Sequence, residues 1–396
     1  MRQENRAGLP APVRAGVLAN ACFTGLISVA LPLLLDGRGV GKGQIAAFFV
    51  LTALTAATLN LTVGRWLRGI PARWAIAGSA GVSGLGMVVL AATSGHALIY
   101  PAGMCVMAMS LVYPRYVAMA DRYSARSAAR TMGGLRSLYV IGYVAGLGVF
   151  AVAVELERLA GPVFRPVHVA AALAALNVAV AWLPPKEHPG RAGGGSTPAP
   201  VRHGRGLLIA AAAAVLLLRA ADSLRGVYLP LYAVNTGVPE SGVSVLFAVT
   251  AVVEFAVLLP LSRVSERYGS RTALVFVCLA GAMSFLLVAV SSGYPVLLGS
   301  QVVYAVFTAG FQSIGMVLLG EALRSGMGGG AALYTALVQV GSTIGIVAPL
   351  LVPGYDPAVF LIAVAFCGVA AALLLPGRAA RTPEAPPDAV QRAEPR

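Results

Sequence analysis

The sequence predicts an all-α integral membrane protein with twelve transmembrane helices in two six-helix lobes. Three observations predict it. Of the 396 residues, 58% are hydrophobic and only 11% are charged, a balance that no single soluble core requires. The apolar residues gather in twelve runs of roughly 18 to 25 residues, each able to cross about 30 Å of hydrocarbon. The basic residues concentrate in alternate loops, the pattern that sets membrane orientation.

The runs fall at 15–35, 44–64, 74–93, 97–117, 131–154, 167–184, 207–231, 242–261, 272–290, 296–320, 332–353 and 357–376. The third and fourth are joined only by Ser94, Gly95 and His96, so that turn is tight. The stretch "PPKEHPGRAGGGSTPAPVRHGRG" (184–206) is rich in Pro, Gly and Ser, the composition of a linker without a fold of its own. It divides the chain into a cytoplasmic N-terminus (1–14), a first lobe (15–184), a linker (185–206), a second lobe (207–376) and a tail (377–396).

With an even number of spans both termini share a side. Of the 29 Lys and Arg, 22 lie on that side in the termini and loops, counting Arg115 at a helix end; four lie in the opposite loops (Arg38, Lys42, Arg158, Arg165), and three lie within spans (Arg136, Arg219, Arg225). This bias places both termini in the cytoplasm. It also accounts for the net charge of +14 without nucleic acid, because the cations sit in short clusters between apolar runs and form no basic face. The N-terminal "MRQENRAGLPAPVR" is too polar for a cleavable leader. Cys22, Cys105, Cys278 and Cys367 all fall in apolar runs without paired spacing, as small hydrophobes do.

Each half carries a basic loop between its second and third spans, "GRWLRGIPAR" (64–73) and "SRVSERYGSR" (262–271). Two such halves imply repeats around a central pathway, the layout of a carrier that exposes one midplane site to each side in turn. Glu266, Arg267, Gly269 and Arg271 of the second loop resemble the acidic-basic-x-Gly-x-basic loop of the major facilitator superfamily, whose charged groups latch helices and gate closure. The first loop departs from it, with Leu67 where the acid belongs. The bland alternative is that both loops serve only as orientation charges.

Charges inside spans carry the chemistry. Of fifteen Asp and Glu, only Asp222 and Glu254 lie deep in apolar runs, where each is costly unless it faces a cavity or a partner. Arg219, Asp222 and Arg225 are spaced so that successive members meet on a helix. One carboxylate between two guanidiniums leaves an excess positive charge, to be met by Glu254 or by a substrate. Arg219 lies nearer the cytoplasmic start of its span and can snorkel, which makes Asp222 with Arg225 the sharper pair. That pair has either a structural role or a part in binding substrate or protons. Glu254, with Thr250 one turn away, is either a fixed structural acid or a carboxyl that loads and releases protons as access alternates.

Arg136, Tyr139 and Tyr143 put a cation and two phenols on one face, which suits a hydroxylated ligand; the alternative is that Arg136 snorkels to the cytoplasm. Gly142, Gly146 and Gly148 on the same run favour close helix packing. Asn20, Asn60, Asn177, Gln301, Gln312 and Gln339 are amides within spans, fit for binding neutral polar solutes or for joining helices. Asn20, Gln312 and Gln339 are the substrate candidates among them. The four histidines form no metal site. The glycine-rich run "GMGGG" (326–330) lacks the Lys-Ser/Thr ending of a phosphate loop, so neither a metal, a cofactor nor ATP drive is expected. Nor does any catalytic cluster or output domain point to an enzyme or a sensor.

A narrower resemblance covers nearly the whole chain. Leu333, Tyr334 and Thr335, followed by Val340-Gly341, resemble the eleventh-span motif of the sugar efflux transporters of the same superfamily. Arg136 with Gly146, Pro230-Leu231-Tyr232 and Glu254 are similar to that family's fifth, seventh and eighth spans. Gln339 replaces its arginine and Leu147 its proline; Asp222 and Arg225 stand where it tends to be uncharged. The resemblance implies a monomeric secondary transporter in a bacterial inner membrane. It would export a sugar or sugar-like compound by proton antiport. On the reading of the residues themselves, Glu254 and Asp222 are the candidate proton-coupling groups, and the candidate substrate contacts are Arg136, Tyr139, Tyr143, Asp222, Arg225, Asn20, Gln312, Tyr334 and Gln339. The departures at Asp222 and Arg225, with Leu67 in the first loop, weaken the case for a simple neutral sugar and admit a charged or decorated sugar or a glycosylated natural product. A drug or natural-product efflux carrier of the same fold is the alternative. Its partners in either case are a small molecule, protons and the lipid bilayer.

Overall fold

A computed structural model describes residues 9–63, 70–93, 96–123, 128–183, 205–323 and 326–375, which are helical throughout apart from short turns. Among the described residues thirteen α-helices run in chain order: α1 Ala11–Gly37, α2 Lys42–Thr58, α3 Ala72–Ala92, α4 His96–Val106, α5 Val112–Tyr123, α6 Ala128–Ala160 and α7 Pro166–Val180 in the first half, then α8 Arg205–Asn235, α9 Glu240–Tyr268, α10 Ser270–Val290, α11 Tyr294–Leu323, α12 Gly326–Val347 and α13 Val359–Leu374. Among the described residues eight helices are long and apolar enough to cross a membrane, and four further apolar helices are shorter. Leu67 in the first basic loop, most of the linker and the tail 377–396 lie outside the described residues.

Many large apolar side chains point outward, among them Leu85 at 61%, Ile141 at 60% and Leu259 at 71% exposure. Such a surface is stable only against lipid or another apolar partner. The helices overrun several of the expected apolar runs, because a helix continues through its polar ends once its core turns are packed. Two runs are less regular than expected. The second leaves α2 through a π-helical turn, Leu59–Val63, and the fourth is broken by a 3-10 segment, Met107–Leu111, between α4 and α5. Asn60 joins these two irregularities, donating to the Ala56 carbonyl at 2.8 Å and to Ser110 Oγ at 3.1 Å.

The same packing device occurs in both halves. On α6, a Cβ at Gly142 would lie 2.6 Å from the Leu18 carbonyl oxygen, and one at Gly146 would collide with the Cys22 carbonyl, so α1 and α6 touch backbone to backbone. On α12, a Cβ at Gly341 would lie 2.6 Å from the Leu216 carbonyl oxygen, and one at Gly345 would strike that of Ala220 on α8. Small residues four apart permit this approach. Gly148 has nothing near it, which corrects its expected packing role. Serines repeat likewise: Ser83 on α3 bonds the Val106 carbonyl, and Ser284 on α10 bonds that of Ser300, both at 2.9 Å. Across the halves, α6 packs on α9, α2 on α12, and α1 on α8.

The loop after α9 turns at Gly269, whose φ of 82° favours glycine. Arg271 donates from Nε to the Leu374 carbonyl at 2.6 Å and from Nη2 to that of Leu375 at 3.0 Å, tying α10 to the end of α13. Ser270 bonds Glu321 Oε1 on α11 at 2.9 Å. Glu266 and Arg267 are exposed, and Arg267 stacks on Tyr268 at 5.5 Å. The contacts that fasten this loop to other helices are thus those of Arg271 and Ser270.

Candidate functional site

A cavity of about 600 Å³ lies between the halves, lined by residues from α1, α2, α6, α8, α9, α11 and α12 and by Met107 of the 3-10 segment. Eight of the expected site residues line it: Arg136, Tyr139, Tyr143, Asp222, Arg225, Glu254, Gln312 and Gln339. Asn20 and Tyr334 are not among the lining residues. Asn20 is buried at 2% exposure, with its Nδ2 lacking a partner, and Tyr334 is half-buried on α12.

The charges pair differently from the sequence-based expectation. Asp222 forms its ion pair with Arg219, one turn earlier on α8, and accepts a hydrogen bond from the Tyr304 hydroxyl of α11. Arg219 does not snorkel away; it lines the cavity, and its Nε donates to Ser342 Oγ on α12 at 2.8 Å. Arg225 pairs with no carboxylate among the described residues. Its Nε and Nη2 donate to Gln301 Oε1, the first at 3.0 Å, and Nη2 also donates to Thr250 Oγ1 at 2.9 Å. Its guanidinium carbon lies over the rings of Phe247, at 4.2 Å, and Tyr304, at 4.0 Å, an arrangement that cation–π attraction favours.

Glu254 is not unpaired. Arg136 reaches across from α6 to form an ion pair with it, and also donates to Gln312 Oε1 at 3.1 Å. This turns Arg136 into the cavity. Tyr143 donates to Ser28 Oγ on α1 at 2.9 Å, and Tyr139 packs edge-on against Tyr113 with ring centres 4.9 Å apart. Gln312 Nε2 donates to Thr308 Oγ1 at 2.9 Å.

Sequence reasoning missed Tyr304, Phe247, Ser28 and Ser342 in these roles. A tyrosine or serine in an apolar helix is common, so only the three-residue spacing of Gln301 and Tyr304 offered a signal. It also missed the fastening at the α1–α2 end. There Lys42 Nζ donates to the carbonyls of Val352 at 2.6 Å and Gly354 at 2.5 Å, while Tyr355 donates to Asp36 Oδ1 at 3.1 Å. Burial and the neighbouring Asp36 carboxylate push the Tyr355 phenol upward from its ordinary pKa.

The Major Facilitator Superfamily family model matches residues 211–395. The structure resembles that of the nucleoside transporter NupG, with a TM-score of 0.73 at 14% identity, covering 92% of this chain and 96% of NupG. A bacterial homologue of the iron transporter ferroportin, in an inward-facing state, matches with a TM-score of 0.71 at 15% identity, covering 92% of this chain and 97% of the homologue. A bacterial homologue of the human lysosomal transporter Spinster, inward-facing and unoccupied, matches with a TM-score of 0.63 at 12% identity over 94% and 95%. The chain has a membrane-transporter fold. No curated protein matches it by sequence. At these identities the likeness concerns the fold, and the cavity's chemistry lies in its own residues.

Proposed function

We propose that the chain is a secondary active transporter that exports a sugar or sugar-like polar compound across a bacterial cytoplasmic membrane in exchange for protons. In this reading twelve spans form two lobes, both termini are cytoplasmic, and the protein works as a monomer. The observation that carries it is the Arg136–Glu254 ion pair, made across a cavity by helices from different halves of the chain. Protonating Glu254 removes the charge that holds Arg136. Movement between inward and outward states needs a ligand with different affinity for each, and a proton on this carboxyl supplies one. The hydroxyls of Tyr143 and Ser342 and the amides of Gln312 and Gln339 line the same space and suit a polyhydroxylated solute.

A second reading is export of a drug or natural product. Phe49, Met107 and Phe247 in the cavity wall favour it, since they offer apolar area to a less polar solute. Inverted vesicles with an imposed pH gradient, given labelled neutral and acidic mono- and disaccharides and hydrophobic dyes, separate the two. Sugar accumulation that depends on the gradient and is lost in Glu254→Gln is the expected outcome. Dye movement without sugar movement would overturn the sugar assignment in favour of the second reading.

A further inference from the structure

We infer that the transported compound carries a negative charge, and that Arg225 is its docking point. That the compound is transported rests on the transporter reading; that an anion docks here rests on the cavity itself. Three arginines and two carboxylates line the cavity among the described residues. Arg136 takes Glu254 and Arg219 takes Asp222. With both carboxylates ionised, Arg225 is left with only neutral partners.

Those partners position Arg225 without neutralising it. The residue is 7% exposed. Gln301 and Thr250 hold its Nε and Nη2, and two aromatic faces fix its plane. No acceptor among the described residues takes its Nη1. A buried cation with no counter-ion is costly, and a guanidinium fixed in plane is suited to a carboxylate or phosphate. An anionic group supplied by the solute removes the imbalance. Its hydroxyl-bearing body then lies against Tyr143, Ser342 and Gln339 in the remaining space. The compound class is a polyhydroxylated acid such as a hexuronate.

The test uses the purified full-length protein. Its thermal unfolding is followed with glucuronate, galacturonate, glucose, galactose and sodium chloride as separate additions. A hexuronate should bind about tenfold or more tightly than the matching hexose, as expected for a hydrogen bond to a charged group. Arg225→Gln should abolish that preference, and Arg225→Lys should keep part of it. Equal binding of acid and hexose, no shift with either hexuronate, or an equal shift with chloride would overturn the inference. Because the native protein decides these outcomes, a variant that misfolds does not shelter it. Exchange in proteoliposomes separates the two proposals: glucose carried as well as glucuronate removes the anion inference alone, whereas glucuronate bound but never carried removes the transporter reading alone.

Discussion

Arg136 on α6 and Glu254 on α9 meet across the cavity, each from a different half of the chain. The arginine side chain is 39% exposed and the carboxylate 11%, so the pair is partly hydrated from the cavity side. Gln312 shares the guanidinium from a third helix. A contact of this kind helps to hold one arrangement of the halves and weakens when its acid is neutralised.

Removing one partner leaves the other charge uncompensated, whereas removing both does not. Arg136→Gln and Glu254→Gln should therefore each lower thermal stability in detergent, and the double variant should lose less than the two losses combined. The coupling expected for residues in contact is about 0.5 to 3 kcal/mol. Strict additivity would mean that the pair contributes nothing to stability.

The presence of these charges was legible in the sequence, but their partners were not. An Asp or Arg within an apolar run stands out because its cost demands a reason. The helical spacing placed Asp222 within reach of both Arg219 and Arg225, and could not choose between them. The choice is made by α11, where Gln301 takes Arg225 from 76 positions away and Tyr304 takes Asp222 from 82. The glycine contacts were half legible. Gly142 and Gly146 were expected to pack closely, but the pattern gave no sign that Gly148 faces open space or that Gly341 and Gly345 repeat the device on α12.

Those glycines give a sharp contrast. A side chain at Gly146 or Gly345 would collide with a carbonyl of the facing helix, and backbone does not yield as a flexible side chain does. Gly146→Leu and Gly345→Leu should reduce folded yield and lower the melting temperature markedly. Gly148→Ala should be neutral or stabilising by about 0.5 to 1 kcal/mol, the helix penalty of glycine. Size-exclusion profiles and melting curves of the three variants check this.

At the α1–α2 end, Lys42 bridges to two carbonyls of the segment between α12 and α13. Lys42→Met should loosen that segment. Hydrogen exchange of the Val352 amide, which otherwise bonds the Pro349 carbonyl, should then accelerate by about tenfold, since a hydrogen bond to a charged group is worth about 1.5 to 3 kcal/mol. Tyr355 adds a pH dependence. Its raised pKa means that the folded state keeps the phenol protonated where the unfolded chain ionises it. Its contribution is complete below the ordinary tyrosine value, about 10, and is lost as pH rises above it. Tyr355→Phe should flatten the alkaline fall in stability; an unchanged fall would discard this role.

The loop after α9 separates fastening from exposure. Arg271 caps two carbonyls at the end of α13, a favourable place for a cation. Arg271→Gln should cost about 1 to 2 kcal/mol. Glu266→Gln, at an exposed position, should stay within about 0.5 kcal/mol of the native protein. Denaturation curves in one detergent compare them directly, and an equal loss in both would return the latch to Glu266.

Asp222 is held from two sides, by Arg219 and by the Tyr304 hydroxyl. Asp222→Asn keeps the shape and removes the charge. Arg219 would then lose its counter-ion, and the excess positive charge of the cavity would grow. If Asp222 takes part in proton coupling, transport driven by a pH gradient should fall at least about tenfold in Asp222→Asn, a barrier change of about 1.4 kcal/mol, while insertion and folded yield are retained. Tyr304→Phe removes only one hydrogen bond to the same carboxylate, so its effect should be smaller and should shift the pH at which transport is half-maximal. Gradient-driven transport at the native rate in Asp222→Asn would assign the residue to holding Arg219 and leave Glu254 as the coupling acid.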